Sequence, residues 1–292
     1  MEGYVDPDKA LGHEFTPKTV AYDEKDLCLY ALGIGAGRDP LDTDDLKFVY
    51  ELNRAGFHAL PTYAVTFPFA VMWQISDTPG LKFNPMLLLH GEQYLELKKP
   101  LPTKATLTHS ARISQIYDKG SGALVLVDIH SRDENGEEIA YNQASIFLRG
   151  IGGFGGERGP SSRINLPPER PPDVIHEEQI RPDQALLYRL AGNDPNPLHA
   201  DPQFAAMGGF DRPILHGLCT LGFVTRAVLK HCAGNDPARF HSLKTRFTGH
   251  VFPGETLVTE MWQTSDTEVI VQSKVKERDV VVLSNTAVTF HE

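Results

Sequence analysis

Asn193, Asp194, Asn196, His199 and Asp201 crowd into nine positions of LYRLAGNDPNPLHADPQFAAMGG, residues 187–209, with Pro195, Pro197 and Pro202 threaded among them. Proline fixes φ and removes a backbone donor, so no ordinary helix runs through this stretch and the side chains it carries are held in narrow ranges. Asp194 and His199 stand five residues apart on a turn, which lets both side chains reach one small molecule such as water. A group that accepts a proton beside one that donates it can do general acid–base work, and an Asp/His pair does so near neutral pH when its surroundings split the two pKa values. Asn196, between them, can orient that water without titrating. A plainer reading stays open, in which Asp194 and Asn196 form Asx-turns that only satisfy backbone amides.

Asp201 precedes Pro202, the arrangement of a helix N-cap followed by proline at the first helical position, so Asp201 is expected to be structural. His199, Asp201 and His216 are metal-ligand types, but they lack the helical HExxH spacing and Asp201 is wanted as a cap; no metal is expected. His216 is expected to support the loop through hydrogen bonds as a satisfied structural histidine. Gly217 begins a long apolar segment, where a glycine lets a ligand approach backbone N–H groups at the positive end of a helix dipole, a natural oxyanion hole. Close packing is the alternative reason for a glycine there.

Those residues need elements to hold them. Ile214, Leu215, Leu218, Leu221, Phe223, Val224, Val228 and Leu229 cover most of a helical wheel, which predicts a helix buried on all sides and wrapped by strands. The order of features repeats along the chain. Leu29-Tyr30 matches Leu187-Tyr188, and FHALPTYAVTFPFAVM at 57–72 matches FDRPILHGLCTLGFVTRAV at 210–228. Alternating segments follow in both halves: LLLHGEQYLEL, KATLTHSARISQIY, ALVLVDIHS and EIAYNQASIFL, read as a meander with a DENG turn, and SLKTRFTGHVF, TLVTEMWQTS, EVIVQSKVK and VVVLSNTAVTF. Residues 150–173, rich in Gly, Pro and Ser, read as a linker rather than a phosphate loop, because GERGPSS follows the glycines where a helix should begin. The predicted division is therefore 1–149, a linker at 150–173, and 174–292, each half an α+β unit with an antiparallel sheet curled around one apolar helix.

Composition narrows the function classes. Twenty-eight basic against 38 acidic residues give a net charge of −10 with no basic stripe, which speaks against nucleic acid as a partner. Cys28, Cys219 and Cys232 have no CxxC spacing, so reduced thiols are expected. The N-terminus lacks the apolar core of a signal peptide. The most apolar run, ILHGLCTLGFVTRAVL, is broken by Arg226 and too short to span a bilayer, so a soluble intracellular protein with no membrane partner is expected.

The run DPNPLHADP followed by GGFDRPILHGLCTLGF resembles the signature of R-specific enoyl-CoA hydratases. With YALGIGAG, DLKFVYE, LPTYAV, LLHGEQYLELKKPLP and the FGG of the linker, nearly the whole chain is similar to the 2-enoyl-CoA hydratase 2 family, MaoC-like proteins that include the hydratase unit of peroxisomal multifunctional enzyme type 2. The resemblance implies a double hot-dog fold, an acyl-CoA thioester as substrate, CoA only as part of that substrate and no separate cofactor. It implies catalytic roles for Asp194 and His199, a water-orienting role for Asn196, and an oxyanion-hole amide at Gly217, with a (3R)-hydroxyacyl-CoA as product. It further implies a supporting role for Glu51 of KFVYE, whose plainer reading is a surface charge. The first half keeps Asp39-Pro40 but nothing like the Asn and His of NPLH, so it is expected to accommodate acyl chains without catalysing. Lys244 and Arg246 are candidates for CoA phosphates or, equally, solvent-facing strand charges. A homodimer is implied, with a peroxisomal address in a eukaryote and a cytoplasmic one otherwise, although the chain ends FHE without the usual peroxisomal tripeptide. One local departure is an extra residue between Tyr188 and Asp194. A hot-dog thioesterase and a non-catalytic acyl-CoA-binding protein are the competing readings.

Overall fold

A computed structural model gives the fold of residues 3–39, 41–160 and 163–292; Met1, Glu2, Pro40, Ser161 and Ser162 lie outside the described residues. The first half runs β1 (Tyr4–Val5), α1 (Pro7–Ala10), β2 (Lys18–Tyr22), α2 (Glu24–Gly33), α3 (Leu46–Val49), 3-10 stretches at Pro61–Ala70 and Met72–Asp77, β3 (Leu81–Lys82), β4 (Leu88–Leu97), β5 (Ala105–Asp118), β6 (Gly122–Arg132) and β7 (Glu138–Arg149). The second runs β8 (Val174–Gln179), α4 (Gln184–Ala191), a 3-10 turn at Pro197–His199, α5 (Pro202–Met207), α6 (Gly217–Cys232), β9 (Phe240–Phe247), β10 (Thr256–Ser265), β11 (Glu268–Val275) and β12 (Val280–Phe290).

Ten strands form one antiparallel sheet in the order β2-β5-β6-β7-β4-β9-β12-β11-β10-β8, while β1 and β3 pair separately. Read from either end, the sheet repeats one plan: an edge strand, three meandering strands, then an inner strand. The double hot-dog arrangement follows, with β4 and β9 joining the repeats in register Glu92↔Arg246 and Tyr94↔Lys244.

The meander differs from the one expected. β4 does not pair with β5 but lies between β7 and β9. The seven residues between β4 and β5, KPLPTK preceded by Lys98, contain Pro100 and Pro102 and are too long and too poor in backbone donors for a tight hairpin. That leaves an edge of β4 free to meet the second half. The DENG turn does form a hairpin: Gly136 has φ 82° and donates to the Asp133 carbonyl at 3.0 Å.

The two central segments also differ. α6 is a regular helix in which every residue from Leu218 to Leu229 is buried. Its counterpart at 61–70 is a 3-10 helix, with Pro68 inside it removing a donor and crowding the preceding turn. Carbonyls there are met by side chains instead: Tyr30 Oη donates to Thr62 at 2.8 Å and Asn142 Nδ2 to Ala64 at 3.1 Å. Arg226, the one charge in the buried part of α6, is held by Glu178 at 2.6 Å, by the Ile34 carbonyl at 3.2 Å and beside Asp45 at 3.7 Å.

One apolar cluster draws on both halves, joining Leu95, Leu97, Leu107 and Ile139 to Leu221, Phe223, Val228 and Leu243. A second cluster, with Ile113, Val125, Val127, Ile146, Phe15 and Ile75, lies within the first half. The described part of the linker carries no helix or strand, yet it is docked. Gly120, Gly153 and Gly155 donate their amides to the Asp118 carboxylate at 2.8, 2.8 and 2.9 Å, so the glycine-rich loop cradles an anion that the chain itself supplies. At the far end, Trp262 Nε1 donates to the Arg170 carbonyl at 2.9 Å.

Candidate active site

The loop starts from the end of α4. Tyr188 is fully buried there, and Gly192 donates to the Tyr188 carbonyl at 2.6 Å. Asn193 then takes a φ of 53°, a left-handed conformation that asparagine tolerates, and this reverses the chain so that Asp194 can turn inward.

Both Asx-turns are present. Asp194 Oδ1 accepts from the Asn196 amide at 3.1 Å, and Asn196 Oδ1 accepts from the Leu198 amide at 3.1 Å, capping the 3-10 turn. Neither residue is used up by this, since Asp194 keeps Oδ2 and Asn196 keeps its NH2 group. His199 is 9% exposed, and its Nδ1 lies 2.9 Å from the Ile214 carbonyl. That carbonyl can only accept, so Nδ1 carries the hydrogen and Nε2 is left as a bare acceptor.

No direct hydrogen bond or ion pair joins Asp194 to His199, although they and His216 each place a ligand-type atom within 4.8 Å of the other two. The separation suits one bridging water. Burial pushes the Asp194 carboxyl up, opposed by His199 and by the Asn196 amide. Burial likewise pushes the His199 imidazole down, opposed by Asp194 and by the Ile214 carbonyl. Burial therefore moves the two ionisations toward each other, the direction that favours proton exchange between the pair.

His216 departs from the expectation of a satisfied histidine. It is 2% exposed, and neither ring nitrogen has a hydrogen-bond partner; the ring faces the Asp194 backbone without reaching bonding geometry. Its ring stacks on His199 with centroids 3.7 Å apart and planes 26° off parallel. Burial holds its pKa down at about 2, so the ring is neutral. The metal-ligand types that converge are Asp194, His199 and His216, not Asp201. Near-parallel stacked rings aim their lone pairs side by side, so one ring must turn before both reach a single ion.

Gly217 opens α6 and is exposed, while its neighbours His216 and Leu218 are buried. Its amide is among the first four of the helix, which have no intrahelical acceptor. A Cβ at this position would meet the Phe247 ring at 3.0 Å, so an open amide and close packing both call for glycine. Asp201 Oδ1 accepts from the Gln203 and Phe204 amides at 2.8 and 3.4 Å, the cap predicted for α5.

The remaining candidates lie elsewhere. Glu51 is exposed on a turn after α3, where the Cys28 thiol points at its carboxylate from 3.9 Å; α3 is a single turn that buries Phe48 and leaves this flank in solvent. Arg246 Nε donates to Glu92 at 2.9 Å and Lys244 Nζ lies 3.9 Å from the same carboxylate, so both cations straddle the β4–β9 junction rather than standing free. Arg246 also lines a cleft of about 220 Å³ with Lys119, Phe147 and Phe247. Phe247 escaped the reading of the sequence, because a strand aromatic gives no sign of which distant glycine it covers.

Residues 20–150 match the MFE-2 hydratase 2 N-terminal domain and residues 163–286 the MaoC like domain. The chain is 45% identical over 285 residues to the probable enoyl-CoA hydratase 2 of Dictyostelium discoideum, covering 96% of this chain and 95% of that one. It is 45% identical over 289 residues to the peroxisomal enoyl-CoA hydratase 2 of Arabidopsis thaliana, covering 95% and 93%. The crystal structure of a MaoC-like dehydratase from Phytophthora capsici superposes with a TM-score of 0.87 at 38% identity over 99% of both chains.

Proposed function

Because the chain belongs to the enoyl-CoA hydratase 2 family of MaoC-like hydratases, we propose that it is an R-specific hydro-lyase that adds water reversibly to trans-2-enoyl-CoA. The observation that carries the site assignment is the convergence of the Asp194 carboxylate with His199 and His216, each with a ligand-type atom within 4.8 Å of the other two, next to Asn196, whose turn bond uses only Oδ1.

In the forward direction a water at this site gives its oxygen to C3, one of its protons passes through the Asp194–His199 pair to C2, and the second stays on the new hydroxyl. The pair ends with the proton count it began with. Negative charge that develops on the thioester oxygen is met by the Gly217 amide and the N-terminal end of the α6 dipole. The product is a (3R)-hydroxyacyl-CoA, and CoA enters only as part of the substrate. The first repeat lacks the Asn and His of the loop and serves to hold the acyl chain.

The setting we propose is fatty-acid β-oxidation, in the peroxisome of a eukaryotic cell. No helix among the described residues is long and apolar enough to cross a membrane. A homodimer is the proposed working unit; exposed Leu32, Leu186 and Leu190 on α2 and α4 offer an apolar face, and sedimentation velocity would report the mass.

Incubation with trans-2-decenoyl-CoA tests the activity. Loss of the conjugated enoyl absorbance without thiol release, and a (3R) product on chiral analysis, is the expected result. Thiol release without hydration would make the protein a thioesterase, and binding without turnover would make it an acyl-CoA carrier.

A further inference from the structure

We propose that Tyr188 and His216 are a positioning couple for the Asp194–His199 pair, in which the Tyr188 hydroxyl and the ring nitrogens of His216 hold Asp194 and the reacting water from behind while the His216 ring fixes the plane of His199. This rests on the hydratase reading of the site.

Buried polar atoms are nearly always hydrogen-bonded, so exceptions in one place ask for a reason. Three stand together here: Tyr188 Oη, His216 Nδ1 and His216 Nε2. Tyr188 is fully buried and His216 is 2% exposed. The Tyr188 and His216 rings lie 5.0 Å apart and 54° off parallel, and His216 stacks on His199 at 3.7 Å, so the three rings form a contiguous row that ends at the proposed base.

The repeat supplies an internal control. Tyr30 occupies in α2 the place Tyr188 has in α4, is equally buried, and the two rings are 6.1 Å apart. Tyr30 donates to the Thr62 carbonyl at 2.8 Å, whereas Tyr188 donates to nothing. The tyrosine is satisfied in the repeat without the Asn and His, and unsatisfied in the repeat that has them. Packing alone would treat both alike.

The groups facing the couple are few. Tyr188 faces Tyr30, Cys219 and Asp194, and His216 faces His199 and the Asp194 backbone. A neutral imidazole offers one donor and one acceptor, so His216 can bond both a water and the Asp194 carbonyl without taking up a proton. Tyr188 has a hydroxyl donor for the Asp194 side when the carboxyl ionises. Neither residue touches the acyl group in this scheme, and both act through Asp194 and His199.

The test uses Tyr188→Phe, which removes only the hydroxyl, and His216→Phe, which keeps an aromatic ring against His199 without its nitrogens, with His216→Gln as partial rescue and Asp194→Asn as reference. Each is measured for kcat, KM and thermal midpoint on trans-2-decenoyl-CoA. Expected are a kcat lower by about tenfold or more, the scale for an outer-shell partner of a reactive group, KM within about threefold, and a midpoint equal to or above the parent because an unsatisfied buried group has been removed. His216→Gln should retain more kcat than His216→Phe. Phe variants that keep kcat within about twofold, or lose it only together with the fold, overturn the couple. If they stay active while Asp194→Asn is dead, only the couple falls; if Asp194→Asn is itself active, the hydratase assignment of the site falls with it.

Discussion

Asp194 has room for both a turn role and the proposed chemistry: one carboxylate oxygen fixes the loop through the Asn196 amide, and the other is not spent on that turn. Replacing it by Asn keeps that turn acceptor and removes the proton exchange. Asp194→Asn or His199→Ala is expected to lower kcat by at least ~10²-fold, the scale of general acid–base catalysis. Stability should move the other way. The folded-state pKa of Asp194 is raised by burial, so its contribution to stability is present below the ordinary carboxyl range and is lost as pH rises through the folded-state value. Asp194→Asn should therefore match or exceed the parent's thermal midpoint at neutral pH, and its advantage should shrink as pH falls toward about 4, which a pH series of melts would read. Arg246 makes a different kind of prediction. Its charge is matched by Glu92 across β4–β9, so Arg246→Gln should cost at most ~1 kcal/mol in a denaturant titration and leave KM nearly unchanged. A rise in KM of tenfold or more would restore it as a phosphate ligand.

At the scale of elements, the site is held by ends rather than by middles: the cap of α4, a 3-10 turn, the cap of α5 and the first turn of α6. Asp201→Ala removes two capping bonds from α5, and a loss of ~0.5–2 kcal/mol is expected by denaturant titration. Activity should fall less than with Asp194→Asn, because the cap acts only by steadying the loop. α6 is the deepest element, and Leu221→Ala should cost ~2–5 kcal/mol, since no neighbour can collapse into a cavity enclosed by strands. The linker is anchored by Asp118; Asp118→Ala releases the amides of Gly120, Gly153 and Gly155 together, and faster limited proteolysis within 150–173 is the expected sign.

Over the whole molecule, the repeats are one sheet and share one core. Leu95, Leu97 and Leu107 pack in the same cluster as Leu221 and Leu243, and β4 hydrogen-bonds β9 along five register positions. Residues 1–149 or 174–292 expressed alone would expose half of that core and a long sheet edge, so each is expected to be insoluble or molten, judged by soluble yield and near-UV circular dichroism. The division of labour proposed between the halves therefore lies in side chains and not in separable bodies.

Much of this was legible from local chemistry. The buried α6 follows from apolar residues on every side of a wheel, the Asp201 cap from the proline after it, and the repeat from matched order. The proposed water site follows from types and spacing within one loop, where prolines limit the geometry. Contacts between residues distant in the chain were not legible. Nothing local tells that β4 leaves its neighbour β5 to join β7 and β9, because alternation names a strand but not its partner. The same holds for Pro68 turning a matched apolar stretch into 3-10 helix, for Phe247 covering Gly217, and for Glu92 claiming Lys244 and Arg246. His216 is the sharpest case: its type suggested a satisfied histidine, and only packing decided that it is stacked, neutral and unbonded, since burial and hydrogen bonding depend on which distant chain segments surround a side chain.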